Sequence, residues 1–358
     1  MIHFYDIHSL IGITSDVALP ELAAFKVTVD GAPATIRVRA RGFRREKSSA
    51  RDASTLIYDE GRFGFAVKIS LKGPIEIDAS PLLRHSPHVL YTNVVEPVLR
   101  WRLVEKGWAL IHGACVSRGE DAYVVTARTD TGKTTTILTM LRHYPQLAFL
   151  ADDLCLVRAD GRLLAYPKPM TISRHTLRAV NPRVLSALER AKLVVQSRVH
   201  SRSGRRFAQF LARTGLPVAT LNTLVQWLVP PPKYSIQRLL PHATLADGAS
   251  LRGLFLIERG ECDEAVDLEP DTALEMLAAN CDDAFGFPPY ALLERGLRHQ
   301  GGRDLRERER EIVASAFADR RATLLRSRRF DWWRAIAASI DRPTVRPSPV
   351  MAAVASAR

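Results

Sequence analysis

Ala127-Arg128-Thr129-Asp130-Thr131-Gly132-Lys133-Thr134-Thr135-Thr136 lies between an apolar run, Ala122-Tyr123-Val124-Val125, and a helix-forming one, Ile137-Leu138-Thr139-Met140-Leu141-Arg142. Strand, loop and helix in that order are what a phosphate-binding loop requires. The N–H groups of such a loop, with the positive end of the helix that follows, can cradle a polyphosphate. The stretch therefore predicts an α/β protein with a nucleotide site built from Arg128, Thr129, Asp130, Thr131, Gly132, Lys133, Thr134 and Thr135. Lys133 is expected to reach the terminal phosphates, and the Thr134 hydroxyl to ligate Mg²⁺. One position departs from G-x-x-x-x-G-K-[ST]: its first glycine is Ala127. Alanine permits a tight loop where φ is negative, so the motif is weakened without being lost. An ordinary strand-to-helix turn is the competing reading.

A second run, Leu147-Ala148-Phe149-Leu150-Ala151, delivers Asp152 and Asp153 at its end, and Leu154-Cys155-Leu156-Val157 continues towards a turn at Ala159-Asp160-Gly161. Groups at the C-terminal ends of parallel strands share one rim, so the pair is expected to face the loop. Neighbours on an extended chain point to opposite faces. One carboxylate is then left to meet the γ-phosphate, and the other to bind metal through water or to orient its neighbour. A surface Asp-Asp turn is the bland alternative. Upstream, Trp108-Ala109-Leu110-Ile111-His112-Gly113-Ala114-Cys115-Val116 reads as a β-run interrupted at His112-Gly113, where the glycine marks a bulge or a close backbone approach. His112 can be a satisfied core residue, donate to a phosphate, or hold a carboxylate in position.

Taken together, His112-Gly113, Gly132-Lys133-Thr134 and Ala151-Asp152-Asp153 resemble the HPr kinase/phosphorylase family. That family belongs to the wider group related to phosphoenolpyruvate carboxykinase, whose kinase loop Gly132-Lys133-Thr134-Thr135-Thr136 is similar to. The resemblance runs over residues 90–175, with the three motifs in the family's order. It implies a P-loop phosphotransferase on a mainly β core, using ATP and Mg²⁺. Carried over position by position, Lys133 is the phosphate-binding lysine and Thr134 a metal ligand. Asp152 is the general base towards an acceptor hydroxyl, Asp153 its partner at the metal, and His112 the phosphate-side or Asp-orienting group. The family's kinases assemble into hexamers, so a homo-oligomer is one state the resemblance leaves open.

The departures narrow the expectation. Family members carry a Glu-Ile-Arg-Gly-type signature beyond the aspartates. Here that region reads Tyr166-Pro167-Lys168-Pro169-Met170-Thr171-Ile172-Ser173-Arg174-His175, with no Glu. Positive charge in place of a carboxylate speaks against the reverse, phosphorolytic reaction and against HPr as substrate. It makes Lys168 and Arg174 candidate contacts to an anionic acceptor. Carboxykinase activity needs further metal-ligating His and Lys residues, for which no matching motif is present. The expectation is a kinase that transfers the γ-phosphoryl group to a hydroxyl of a protein or peptide serine, a sugar, a polyol or a lipid-linked alcohol. A non-catalytic nucleotide-binding regulatory module is the alternative. A membrane-surface protein with a degenerate loop is a third, for which Ala127 is the hint.

The 358 residues, 46% hydrophobic and 25% charged, suit a globular protein of more than one domain. The division expected is a β-rich unit at 1–85, a kinase core at 86–260, a helical region at 261–340 and a mobile tail at 341–358. In the first unit Phe25–Val29, Ala34–Arg39 and Phe65–Ile69 alternate apolar and polar residues. Asn93–Leu103 looks helical, and Leu254–Glu258 reads as a strand that completes the central sheet. Cys115, Cys155, Cys262 and Cys281 lack C-x-x-C spacing and read as free thiols of a reducing cytoplasm. No signal-peptide pattern opens the chain, and no apolar run is long enough to span a membrane. The cytoplasm, with peripheral membrane contact as a variant, is the expected location.

A net charge of +13 points to anionic partners. Much of it lies in Arg198, Arg202, Arg205, Arg206 and Arg213, and in Arg320, Arg321, Arg326, Arg328 and Arg329. Beside the first group, Thr223-Leu224-Val225-Gln226-Trp227-Leu228-Val229 reads as a core-packed helix or as a segment lying on an anionic membrane, the former preferred. No aromatic-interleaved strand pattern supports nucleic-acid binding. Asp304–Glu311 alternates charge and predicts an exposed helix laced with ion pairs. Phe330-Asp331-Trp332-Trp333-Arg334 is expected to pack a last helix onto the body.

Overall fold

Alternation of apolar and polar residues builds the first layer of the computed structural model. The structure describes residues 1–28, 34–44, 54–172, 217–228, 233–286, 289–300 and 303–341, with the single positions 176, 186 and 230. Seven strands form a mixed sheet in the order Lys26–Val27, His3–Ile7, Ile11–Ser15, Ala34–Arg39, Ile75–Ala79, Ala66–Ser70, Thr55–Asp59. On Ala34–Arg39, Ile36 and Val38 turn inward while Arg37 and Arg39 turn out. The outward pair sits in register with Glu76 and Asp78 of the neighbouring parallel strand, and Arg39 binds both carboxylates. Short helices at Pro81–Arg84 and Pro87–Leu90, a π-helical turn at Tyr91–Val95 and the helix Glu96–Glu105 then carry the chain to the second sheet.

That second sheet has ten strands and a branch point. From one edge it runs Thr244–Leu245, Ala148–Ala151, Ala114–Arg118, Asp121–Thr126, Gly248–Arg259. The start of the long strand Gly248–Arg259 pairs onward with Arg162–Leu164, which leads to Leu154–Arg158 and Trp108–His112. Its end pairs instead, in parallel, with Arg321–Ser327, which pairs with Glu264–Leu268. The region 261–340, expected as helical, thus also contributes two strands to the central sheet. The sheet is mixed rather than parallel, because Ala114–Arg118 runs against both neighbours. The strand ends still share one rim. Two antiparallel steps restore direction, so the ends of Asp121–Thr126 and Ala148–Ala151 meet the beginning of Ala114–Arg118 at one edge.

Both faces of the middle of this sheet are covered, so strands such as Trp108–His112 and Asp121–Thr126 are buried on both sides, while the edge strands Glu264–Leu268 and Thr244–Leu245 are exposed. Ala122 and Val124, with Leu254 and Leu256, face one core, which extends without a break from Tyr5 to Leu324 and includes the first sheet. Tyr123 and Val125, with Phe255 and Ile257, face a second core formed with the helices Lys133–His143 and Trp332–Asp341.

The charged segments are tied down more than composition suggests. Arg321 binds Asp267, and Arg326 binds Glu258 and Glu264, so these arginines are matched by carboxylates on adjoining strands. The basic group at 198–213, Arg174 and the tail after Asp341 lie outside the described residues. The helix Val218–Leu228 buries Val218, Ala219 and Thr223 but exposes Leu221, Val225, Trp227 and Leu228, so only one side of it is core-packed. Among the described residues no helix is long and apolar enough to cross a membrane. All four cysteines are free, and only Cys262 is exposed.

Candidate active site

The shared rim gathers the three motifs. Asp121–Thr126 ends in the loop, and the helix Lys133–His143 starts at Gly132. Gly132 has φ +139, and a Cβ there would come within 3.1 Å of the Trp332 ring, so conformation and space both require glycine. Asp130 also has positive φ, at the loop's outer turn. Gly113 is a close backbone approach: its N–H donates to the Asp153 carbonyl (3.0 Å), and a Cβ would meet Val124 Cγ1 at 3.0 Å. That contact holds the break in one bent strand against the Asp152-Asp153 break in the other.

Around this junction the side chains form one chain of contacts. Lys133 Nζ lies 2.7 Å from His112 Nε2 and donates to the Ala127 carbonyl (3.1 Å). His112 Nδ1 lies 3.4 Å from Asp153 Oδ1. Thr134 Oγ1 donates to Asp152 Oδ2 at 3.1 Å. Lys168 Nζ donates to Asp153 Oδ2 (3.0 Å) and to Glu96 Oε2 (2.9 Å). The two aspartates part as strand geometry requires. Asp152, expected as the general base, is the carboxylate at Thr134, and Asp153, expected at the metal, faces His112 and Lys168. Lys168, expected at the acceptor, is buried and engaged by two carboxylates.

Burial and neighbours separate the two carboxyls. Asp152 is enclosed, and burial, reinforced by Asp153, pushes it up to about 7. Its Oδ1 is buried with no hydrogen-bond partner among the described residues. Burial acts on Asp153 in the same direction, but Lys168 foremost overrides it and holds Asp153 well below the usual carboxylate range. The Asp153 side chain also reaches the surface, 44% exposed. Burial, then the charge of Lys133, brings His112 down to about 3. The imidazole is therefore neutral at pH 7. Its Nε2 faces Lys133, whose own pKa burial lowers, and its Nδ1 faces Asp153. Lys168 is buried, yet Glu96 and Asp153 raise it well above the ordinary lysine value.

Asp152 and Thr134 could hold a hard divalent cation: an orphaned carboxylate oxygen beside a threonine hydroxyl is a donor pair that Mg²⁺ takes. Among the described residues no group of three or more His, Cys, Asp or Glu could hold a metal by itself. Around the loop, the Thr129 N–H donates to Asp283 Oδ2 (2.9 Å), Thr135 Oγ1 to Thr176 Oγ1 (3.2 Å), and Arg259 Nη2 to the Asp130 carbonyl (3.1 Å). Glu96, Asp283, Arg259 and Trp332 carried no motif. Trp332 was expected only to pack the last helix, and Glu96 had a signal as a lone acid in the stretch Asn93-Val94-Val95-Glu96-Pro97-Val98-Leu99.

No protein-family model matches the chain, and no curated protein is similar to it. The likeness to HPr kinases rests on the three short motifs that meet at this rim.

Proposed function

We propose that this protein is an ATP- and Mg²⁺-dependent kinase with an HPr-kinase-like P-loop core that transfers the γ-phosphoryl group to a hydroxyl. The observation that carries this reading is the meeting of Lys133, Thr134, Asp152, Asp153 and His112 at one rim, with the two carboxyls driven apart in acidity. Divergent acidities in a carboxyl pair are how one site divides two tasks. Lys133 exchanges the Ala127 carbonyl and His112 for phosphate oxygens. Thr134 and Asp152 are the pair to hold the metal, which when bound neutralises charge on the β- and γ-phosphates. Asp153 is ionised, surface-reaching and fixed by His112 and Lys168, and it receives the acceptor's proton. A weak base suffices, because phosphoryl transfer passes through a loose transition state in which the proton leaves late.

The acceptor hydroxyl belongs to a protein or peptide serine, a sugar, a polyol or a lipid-linked alcohol. Incubation with γ-labelled ATP and pools of each class, followed by identification of the labelled product, selects among them. Asp153→Asn is expected to lower the transfer rate by about 10²–10⁴-fold while Mg²⁺-ATP affinity is retained. Wild-type transfer by that variant, or no ATP binding by the native protein at millimolar concentration, overturns the kinase reading.

A further inference from the structure

At the outer edge of the loop, Arg259 connects the phosphate site to an exposed aromatic ring. It ends the long central strand, is exposed, and among the described residues meets the Asp130 carbonyl and the Phe330 ring but no carboxylate. Its guanidinium carbon lies 5.1 Å from the Phe330 centroid. Phe330 is 49% exposed and has φ +63, a conformation that costs a bulky residue energy. The turn is held from both sides. Ser327 Oγ accepts from the N–H groups of Arg329 (3.2 Å) and Asp331 (3.4 Å). Beyond it, Trp332 Nε1 donates to the Glu258 carbonyl (3.1 Å), and the same indole rests against Gly132. The fold thus spends strain to hold a half-exposed ring at the surface, with one side tilted against the buried Trp332 ring (centroids 5.4 Å), beside a cation that no carboxylate among the described residues pairs and within the loop's own contact network.

We propose that Phe330 and Arg259 form the seat of the nucleobase, a purine stacking on the exposed part of the Phe330 ring. Arg259 releases the Asp130 carbonyl and turns to the phosphate nearest the ribose. The seat rests on the nucleotide-binding reading above and extends it from the triphosphate to the base. Stacking uses the π-face that every base has, so ATP and GTP are held alike.

Calorimetric titration of the full chain with Mg²⁺-ATP, Mg²⁺-GTP and Mg²⁺-tripolyphosphate tests the seat. Phe330→Ala is expected to weaken both nucleotides by about tenfold or more and leave tripolyphosphate unchanged, while Phe330→Tyr keeps wild-type affinity. Phe330→Gly serves as the control for folding. It relieves the positive φ, so its melting temperature is expected at or above wild type while it shows the same nucleotide loss. Arg259→Gln is expected to weaken the nucleotides more than tripolyphosphate. Full nucleotide affinity without the ring overturns the seat, as does an equal loss of tripolyphosphate, which would mean that the ring only supports the loop. If the native protein binds none of the three ligands, the nucleotide reading falls and takes the seat with it.

Discussion

Asp152 joins structure to function at the scale of a single group. A carboxyl that titrates near 3.9 when unfolded is raised to about 7 by its enclosure in the folded chain. Below about pH 4 both states hold the proton, and the site costs the fold nothing. Between about pH 4 and pH 7 the unfolded chain ionises first, so stability falls as pH rises. Above pH 7 the whole cost is present, on the order of a few kcal/mol. Asp152→Asn removes this term and keeps an acceptor for the Thr134 hydroxyl. Its melting temperature is expected to exceed wild type by several degrees at pH 8 and to converge with it near pH 4. Saturating Mg²⁺ should narrow the gap at pH 8, because the wild-type carboxylate then has a cation. Parallel melting curves at all pH values would show that the carboxyl is not enclosed as described.

At the scale of elements, the helix Leu305–Phe317 shows what a charge pattern hides. Its sequence alternates acid and base and reads as solvated throughout, and the exposed pair Arg308–Glu311 fits that reading. Glu309, in the same turn, points inward and binds Arg100 through both oxygens, at 2.7 and 2.6 Å. Arg100 comes from a helix two hundred residues earlier and lies over the Phe285 ring. Removing Glu309 leaves a buried guanidinium without its anion, so Glu309→Ala is expected to cost about 3–5 kcal/mol in urea unfolding. Glu311→Ala is expected to cost under about 1 kcal/mol. Equal losses would place both pairs at the surface. The contrast also marks what the sequence can carry. The loop was legible because strand, turn and helix are contiguous, and Gly113 because only a close approach demands a glycine in a buried strand. Arg321-Ala322-Thr323-Leu324-Leu325-Arg326-Ser327 was not read as a strand. Its arginines look like surface charge until Asp267, Glu258 and Glu264 are seen beside them. The two-residue period showed that Asp152 and Asp153 part, but which of them meets Thr134 depends on the distant partners Lys168 and Glu96.

At the scale of the whole molecule, the first sheet and one face of the second share one interior. The buried cluster runs from Tyr5 through Trp101 and Leu154 to Leu324. Polar ties follow the same path: His8 Nε2 lies 2.7 Å from the Ala165 carbonyl, and Lys233 pairs with the fully buried Glu21 at 3.0 Å. Glu21 is held down at about 2 against its own burial, by His88 and Lys233. A core shared by the two sheets is expected to couple their unfolding. The five tryptophans, at 101, 108, 227, 332 and 333, all lie outside the first sheet, so their fluorescence reports mainly on the rest of the molecule, with Trp101 at the core the two share. Ile36 is fully buried on the central strand of the first sheet, and Ile36→Ala is expected to cost about 2–5 kcal/mol. If the cores are continuous, that loss appears undiminished in the tryptophan transition and coincides with the far-ultraviolet circular dichroism transition. If the first sheet is an independent unit, the tryptophan midpoint stays at its wild-type value and the dichroism curve splits into two. If Mg²⁺-ATP binds as proposed, it distinguishes the cases a second way: through a shared core, a ligand at the loop is expected to raise the midpoint of the Ile36→Ala sheet as much as that of the loop itself.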